Sequence, residues 1–561
     1  MRYYKLNYRL HIVLFIDNLL QVKSSKMDIL RHFQNISWCK PDWCYPSMSK
    51  ETNELLHQCI DLPTMKLSDD VEEIIRKSKS FPIPFPIETV RLEKLKVRKP
   101  IEKLKRNIVS TYPLIHERVL LLMTHFLIYK REFGSNIEKA FYKDMTVPEF
   151  IERILKKRAV TFMNESDEFL LLSGERDHDG WEQVGTLHQK PPLLLENCLS
   201  YDEMKLSAMV FISGHTECVN DGSRTNAGVI REDIAEEDAV IIGLIGPRFE
   251  RRGRMDYEDM LITEQQNCLE NGYGEEVTPT TCLNVLKTTY VRNNQSAKHM
   301  WRQMWSEFYQ VHSYTYEELT SYINIQDKDE DKQYLDRYVK QPFTDNIFDN
   351  EVYYKRLSIL VETTLLEAEY RAVESGRDAF VNIIGCGLGV WKIAPHQPDV
   401  YVLTFLERIR AFLKKDLLNH VTDVNFAYIR TSRGIQSLFT NSTEQNDQSP
   451  IEKRIFFECK RHPKGGINVQ MENREPSAKL KGEHEGKLLV ITYPWDGNAH
   501  PGNEFWIGSL SGSGDPAAAC STQVSELHNA HINPAVSGYN VRVAGRYGIN
   551  TLAEYSRSLT T

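Results

Sequence analysis

Five short apolar runs recur in the second part of the chain: "AMVFIS" (208–213), "AVIIGLIG" (239–246), "AFVNIIG" (379–385), "VNFAYI" (424–429) and "KLLVITY" (487–493). Each is the length of a strand, and most lack the apolar-polar alternation of a sheet with one wet face. They read as strand candidates, the last of them a buried strand. Helical segments lie between them, among them "AKHMWRQMWSEFYQ" (297–310) and "YYKRLSILVETTLLEAEYRAVES" (353–375). Strands alternating with helices predict an α/β domain. A chain of 561 residues, 41% of them hydrophobic, has enough apolar side chain for a large core and for more than one unit.

The first part differs. From about residue 27 to 158 apolar residues recur at three and four spacing, as in "HERVLLLMTHFLIYKREF" (116–133) and "VPEFIERILKKR" (147–158), which predicts a mostly helical region. We divide the chain into a helical N-terminal region (1–160), a short β-rich connection (161–200) containing "EFLLLSGERDHDGWEQVGT", and an α/β domain (201–561).

Charge and cysteine usage narrow the function classes. A net charge of -8 and a pI near 6.1 argue against nucleic acid as a partner. The basic run 91–106 is expected to be a solvated helical face. The apolar stretch 11–22 is too short to span a bilayer and is broken by Asp17 and Asn18; it predicts an amphipathic helix, with Met27 a second possible start, and no membrane association. The ten cysteines are scattered, which fits a reducing, intracellular and cytoplasmic setting. Cys39, Cys44, His57 and Cys59 are irregularly spaced for a zinc module and are expected to be ordinary residues, with no metal and no cofactor.

Three loops at the ends of predicted strands hold the polar chemistry, where open α/β sheets bind ligands. In "NIIGCGLGVWK" (382–392), Gly385, Gly387 and Gly389 let backbone N–H groups approach a phosphate, although the spacing is not that of a dinucleotide turn. In "GPRFERRGRMDYEDMLI" (246–262), Phe249 offers a flat face, and Glu250, Asp256 and Glu258 offer carboxylates to sugar hydroxyls. A plainer reading makes Asp256 the cap of a helix. In "WDGNAHPGNEFW" (495–506), Asp496 and Glu504 sit in a Gly/Pro-bounded loop shielded by Trp495, Phe505 and Trp506. Desolvation separates the pKa values of two such acids, which is how a pair divides into proton donor and base for cleaving a glycosidic bond. Asp515, followed by Pro516 and three alanines, reads as a helix cap.

Together "IIGCGLGVWK", "GPRFERRGRMDYEDMLIT" with the following "QN" and "NGYG", and "YPWDGNAHPGNEFWIGSLSGSGDPAAACS" resemble the MavL-type macrodomain (ADP-ribosyl)hydrolases over roughly 201–555. The resemblance implies a macrodomain-like mixed sheet flanked by helices, and removal of single ADP-ribose groups from protein arginine. It implies Asp496 and Glu504 as the catalytic pair. It also implies ADP-ribose contacts from Gly385, Cys386, Gly387, Leu388, Gly389, Val390, Arg248, Phe249, Glu250, Glu258, Trp495, Asn498 and Asn503. Partners would be arginine-ADP-ribosylated proteins, with ADP-ribose as product. The sequence lacks an N-A-A-N run and the triple glycine with Gln-Glu-Glu of poly(ADP-ribose) glycohydrolases, which sets it apart from both patterns. A reader that binds ADP-ribose without cleaving it is the alternative from another class.

Overall fold

The computed structural model describes residues 23–24, 36, 38–39, 43–45, 48–274, 288–323, 330–439 and 454–560. The amphipathic stretch 11–22 and the alternative start at Met27 lie outside them. Eleven strands form one mixed sheet. In chain order they are β1 (Lys23–Ser24), β2 (Tyr112–His116), β3 (Val210–Glu217), β4 (Asp238–Leu244), β5 (Ala379–Ile384), β6 (Val421–Ala427), β7 (Arg454–Glu458), β8 (Gly466–Gln470), β9 (Leu488–Pro494), β10 (Arg542–Gly545) and β11 (Gly548–Thr551). Their order across the sheet is β1-β7-β8-β6-β5-β9-β4-β3-β2-β10-β11.

The run β8-β6-β5-β9-β4 is parallel throughout. Four of the five apolar runs became its members β4, β5, β6 and β9, and the fifth became β3, antiparallel beside β4. Their continuous apolar character follows from cover on both faces: Val240, Ile242, Val381, Ile383, Leu489 and Val490 are all buried. One cover is helix α1 (Asn350–Ser375), which touches β2, β4, β5, β6, β9, β10 and β11 and packs on α2 (Gln397–Lys414). Asp349 caps α1 by accepting from the N–H groups of Glu351 and Val352, and Gly376 ends it with a left-handed φ of 63°. The charged residues that α1 buries are paired, Arg356 with Asp256 at 3.2 Å and Arg371 with Glu367 at 2.7 Å.

The N-terminal region is helical over Lys50–His57, Val71–Lys79, Ile101–Val109, Glu117–Phe133 and Val147–Lys156, but it also supplies β2. Helical periodicity passes over "YPLIH" because so short a run has none. Leu114 and Ile115 fill the slot between β3 and β10, and Pro113 precedes the register with β10, so its missing N–H costs no bond there. Much of the basic run is exposed, Lys94, Lys96 and Arg98 among it, and its cations form surface pairs, Arg98 with Glu232 at 2.8 Å and Lys103 with Glu237 at 2.7 Å. Residues 161–177 form a small antiparallel sheet of three strands. Cys39, Cys44 and Cys59 are free thiols, two of them buried. Among the described residues no helix is long and apolar enough to cross a membrane.

Candidate active site

Because five neighbouring strands are parallel, their following loops gather at one edge. A cavity of about 950 Å³ opens there, near the upper end of the roughly 300–1,000 Å³ usual for small-molecule sites. Its floor is the carboxyl end of the sheet, with Ile384, Phe426, Thr492 and Tyr493; its walls come from the loops after β5, β6 and β8, from 222–225, and from helix α3 (Gly514–Ser521).

The glycine loop after β5 divides its residues among three tasks. Gly385, Leu388 and Gly389 line the cavity. Gly387, at φ 74°, crosses backbone to backbone with Gly246 after β4: a Cβ on Gly246 would lie 2.4 Å from the Cys386 carbonyl and 2.5 Å from the Gly387 nitrogen. Cys386 is buried and anchors the turn, its thiol pushed up to about 12 by burial, while Val390 points to solvent at 95% exposure. A Cβ on Gly389 would meet nothing within 4 Å, and its φ lies outside the left-handed region. Gly389→Val should therefore leave the melting temperature within about 1 °C and, on the expectation from the sequence resemblance that ADP-ribose binds here, weaken that binding about tenfold, roughly 1.4 kcal/mol, by narrowing the cleft; calorimetric titration beside a melting curve checks both halves.

At the end of β9 the chain turns into the acid loop. Trp495 is buried and donates its ring N–H to the Ala499 carbonyl at 3.1 Å, folding the loop back on itself. Asp496 accepts from Asn503 Nδ2, and Glu504 accepts from the Ser513 hydroxyl at 3.1 Å. Asp515 joins them. Its Oδ1 accepts from the Gly502 N–H at 2.8 Å, and carboxylate oxygens of Asp496, Glu504 and Asp515 lie within 4.8 Å of one another. Three acids so close can share one cation, whether a metal ion or a guanidinium. The reading of Asp515 as a cap is corrected here: Ser513 occupies the cap position of α3, and the Asp515 carboxylate turns inward. Sequence alone missed it because Asp-Pro before three alanines explained the residue locally; the signal was its place within the same acid-rich segment.

Burial and the neighbouring Glu504 push the Asp496 carboxyl up to about 7, against the lowering pull of Arg248 and the Asn503 bond. Asp515 is held well above the carboxylate range by burial and by both acids. Glu504 Oε2 and Asp515 Oδ2 are buried without a hydrogen-bond partner in the protein. Buried oxygens without partners cost stability, and functional sites are where such costs are retained.

Arg248 and Glu250 stand beside this pole. The Arg248 guanidinium donates to Asn498 Oδ1 and to Glu250 Oε2 at 2.9 Å, and lies 4.5 Å over the Trp391 ring. Two other candidates are placed elsewhere. Phe249 is 4% exposed and packs on Phe348 and Tyr353, because the chain turns inward after Arg248 to let Asp256 accept from the Arg248 N–H. Glu258 is taken up by Lys205 at 2.5 Å and the Trp301 ring N–H at 3.0 Å, a charge network under the N-terminal helices. Neither lines the cavity, and nor do Arg248, Glu250, Trp495, Asp496, Asn498, Asn503, Glu504 and Asp515 themselves; the acid loop adjoins it through Tyr493 and Gly514, which do.

The carboxyl edge of the α/β sheet thus holds a glycine-walled cavity, and the three clustered acids adjoin it through Tyr493 and Gly514, an arrangement that suits a hydrolase. A family model described as ADP-ribosylhydrolase MavL-like matches residues 72–558. The chain is 38% identical over 520 residues to ADP-ribosylarginine hydrolase CG3568 of Drosophila melanogaster, covering 91% of this chain and 92% of that one. It is 36% identical over 494 residues to ADP-ribosylarginine hydrolase CG2909 of the same organism, covering 87% and 90%. The chain belongs to the MavL-like ADP-ribosylhydrolase family.

Proposed function

We propose that this enzyme hydrolyses the N-glycosidic bond between ADP-ribose and protein arginine, on a macrodomain-like sheet. The observation that carries the reading is the trio of acids clustered beside the cavity-lining Tyr493 and Gly514, with two buried oxygens lacking partners. A guanidinium is a cation with several N–H donors and suits that deficit. A reader would need contacts to the ribose but gains nothing from three acids desolvated together.

Strand order gives the ligand a direction. Across β8-β6-β5 the loops present to the cavity, in turn, Asn473 and Glu475, then Tyr428 and Arg430, then the glycines; the next strand, β9, lines it with Tyr493 and leads into the loop of Asp496. A diphosphate over Gly385 and Gly389, with exposed Lys392, Arg224 and Arg430 on the rim, puts the arginine-bearing ribose at the acids and the nucleoside toward β6 and β8. The acid end sets the chemistry. Departure of the protonated, ribosylated guanidine gives a neutral guanidine and an oxocarbenium-like sugar, so it needs no prior acid. Water adds its oxygen to the anomeric carbon, a carboxylate takes its proton, and that proton returns to the leaving guanidine. Burial holds the Asp496 and Asp515 carboxyls up, and an arriving guanidinium favours their ionised forms.

Free cysteines throughout the described residues suit a reducing compartment, and we place the reaction inside the cell, on modified proteins. The test is incubation with arginine-, serine- and glutamate-linked mono-ADP-ribosylated peptides. Release of free ADP-ribose from the arginine-linked peptide alone is expected; binding without release would favour a reader.

A further inference from the structure

The N-terminal region holds a buried cation bound to the backbone of the acid loop. Arg158 is 4% exposed. Its Nε donates to the Gly497 carbonyl at 2.9 Å, its Nη2 to the Ser207 carbonyl at 3.0 Å, and its guanidinium lies 4.2 Å over the Trp495 ring. Trp495 and Gly497 are the two neighbours of Asp496. None of these partners is a carboxylate, and burial pulls the Arg158 guanidinium down to about 9. A buried cation without an acid is a costly way to fill space.

The contact is not isolated. The N–H of Ala159 donates to the Asn498 carbonyl at 3.2 Å, and the His500 N–H donates to the Ala159 carbonyl at 2.9 Å. Phe162 and Asn503 exchange two bonds: the Phe162 N–H to Asn503 Oδ1 at 3.0 Å, and Asn503 Nδ2 to the Phe162 carbonyl at 3.2 Å. That same Asn503 Nδ2 donates to Asp496. The Gly497 carbonyl also accepts from the Ser207 hydroxyl at 2.5 Å. Residues 158–162 thus run alongside 497–503 like a template strand, fixing the loop on both sides of its first acid.

We propose that Arg158 is a positioning residue for hydrolysis, holding the Trp495–Gly497 turn so that Asp496 meets Glu504 and Asp515 at the anomeric carbon. The inference rests on the hydrolase reading. Displacing a catalytic group by about 1 Å costs on the order of a hundredfold in rate. Arg158→Met should lower kcat ten- to a hundredfold, with KM and the Kd for ADP-ribose within about threefold, because the glycine walls stay in place. An Asp496 carboxyl no longer pressed against Glu504 titrates lower, so the carboxyl limb of the kcat–pH profile should move to lower pH; loss of folded protein alone would not move it. Arg158→Lys, which keeps the cation but not the fork, should recover part of kcat, and Ser207→Ala, which removes the second donor to Gly497, should lower kcat several-fold.

Kinetics on arginine-linked substrate, with melting curves and ADP-ribose titrations for wild type and the three variants, decide the matter. Folded variants with wild-type kcat and pH profile would overturn the proposal, as would an equal loss of ADP-ribose affinity. Failure of all three to fold would make Arg158 a fold residue and overturn it too. A wild type that releases no ADP-ribose would sink the hydrolase reading and this inference with it; wild-type turnover beside unchanged variants would sink the positioning role alone.

Discussion

Asp496→Asn should lose at least a thousandfold in release of ADP-ribose from modified arginine while still binding ADP-ribose and melting higher than wild type at pH 8. The rate loss follows from its place: an amide cannot take a proton from water, and general base help is worth about two to four orders of magnitude. The stability gain follows from the sign of its pKa shift. Burial and Glu504 move the folded-state value from 3.8 to about 7. Between those values the folded protein holds a proton that the unfolded chain has released, so stability from this group is full below about pH 4 and lost as pH rises to about 7. Asparagine has no proton to lose. The substitution should therefore stabilise the fold by about 2 kcal/mol at pH 8 and by little at pH 4, after allowing for the coupling among the acids. Melting curves at the two pH values check it, and a variant less stable than wild type at pH 8 would contradict the picture of a strained, desolvated cluster.

The second large effect is expected at Asp515. As an ordinary helix cap, its loss would cost about 1 kcal/mol and leave turnover untouched. As the third member of the acid pole, Asp515→Asn should lower kcat about a hundredfold and raise the melting temperature, because its carboxyl is buried with Oδ2 unpartnered. The two accounts differ in the sign of the stability change as well as in rate. A destabilised variant with normal kcat would return Asp515 to a structural role.

What the sequence made legible was local. The apolar runs became β3, β4, β5, β6 and β9 because a strand covered on both faces must be apolar along its length. Asp496 and Glu504 stood out because nothing in their own loop explained them, and the fold brings them together. What escaped depended on partners far along the chain. Leu114 and Ile115 are strand residues only because β3 and β10 flank them. Phe249 has the chemistry of a stacking face but turns into the core beside Phe348 and Tyr353. Glu258 has the chemistry of a ribose contact, yet Lys205, 53 positions earlier, claims it. Asp515 was hidden for the opposite reason, since its neighbours gave it a sufficient local role. Only the approach of Gly502 and Glu504 gives it another.

The most direct test is a crystal structure of Asp496→Asn soaked with ADP-ribose. The account expects the diphosphate against Gly385 and Gly389, the nucleoside toward Tyr428, and the free anomeric carbon of the second ribose facing Glu504, Asp515 and the amide substituted at position 496. Nucleotide bound in the reverse direction, or a ribose that leaves the three carboxyl positions out of reach, would contradict it.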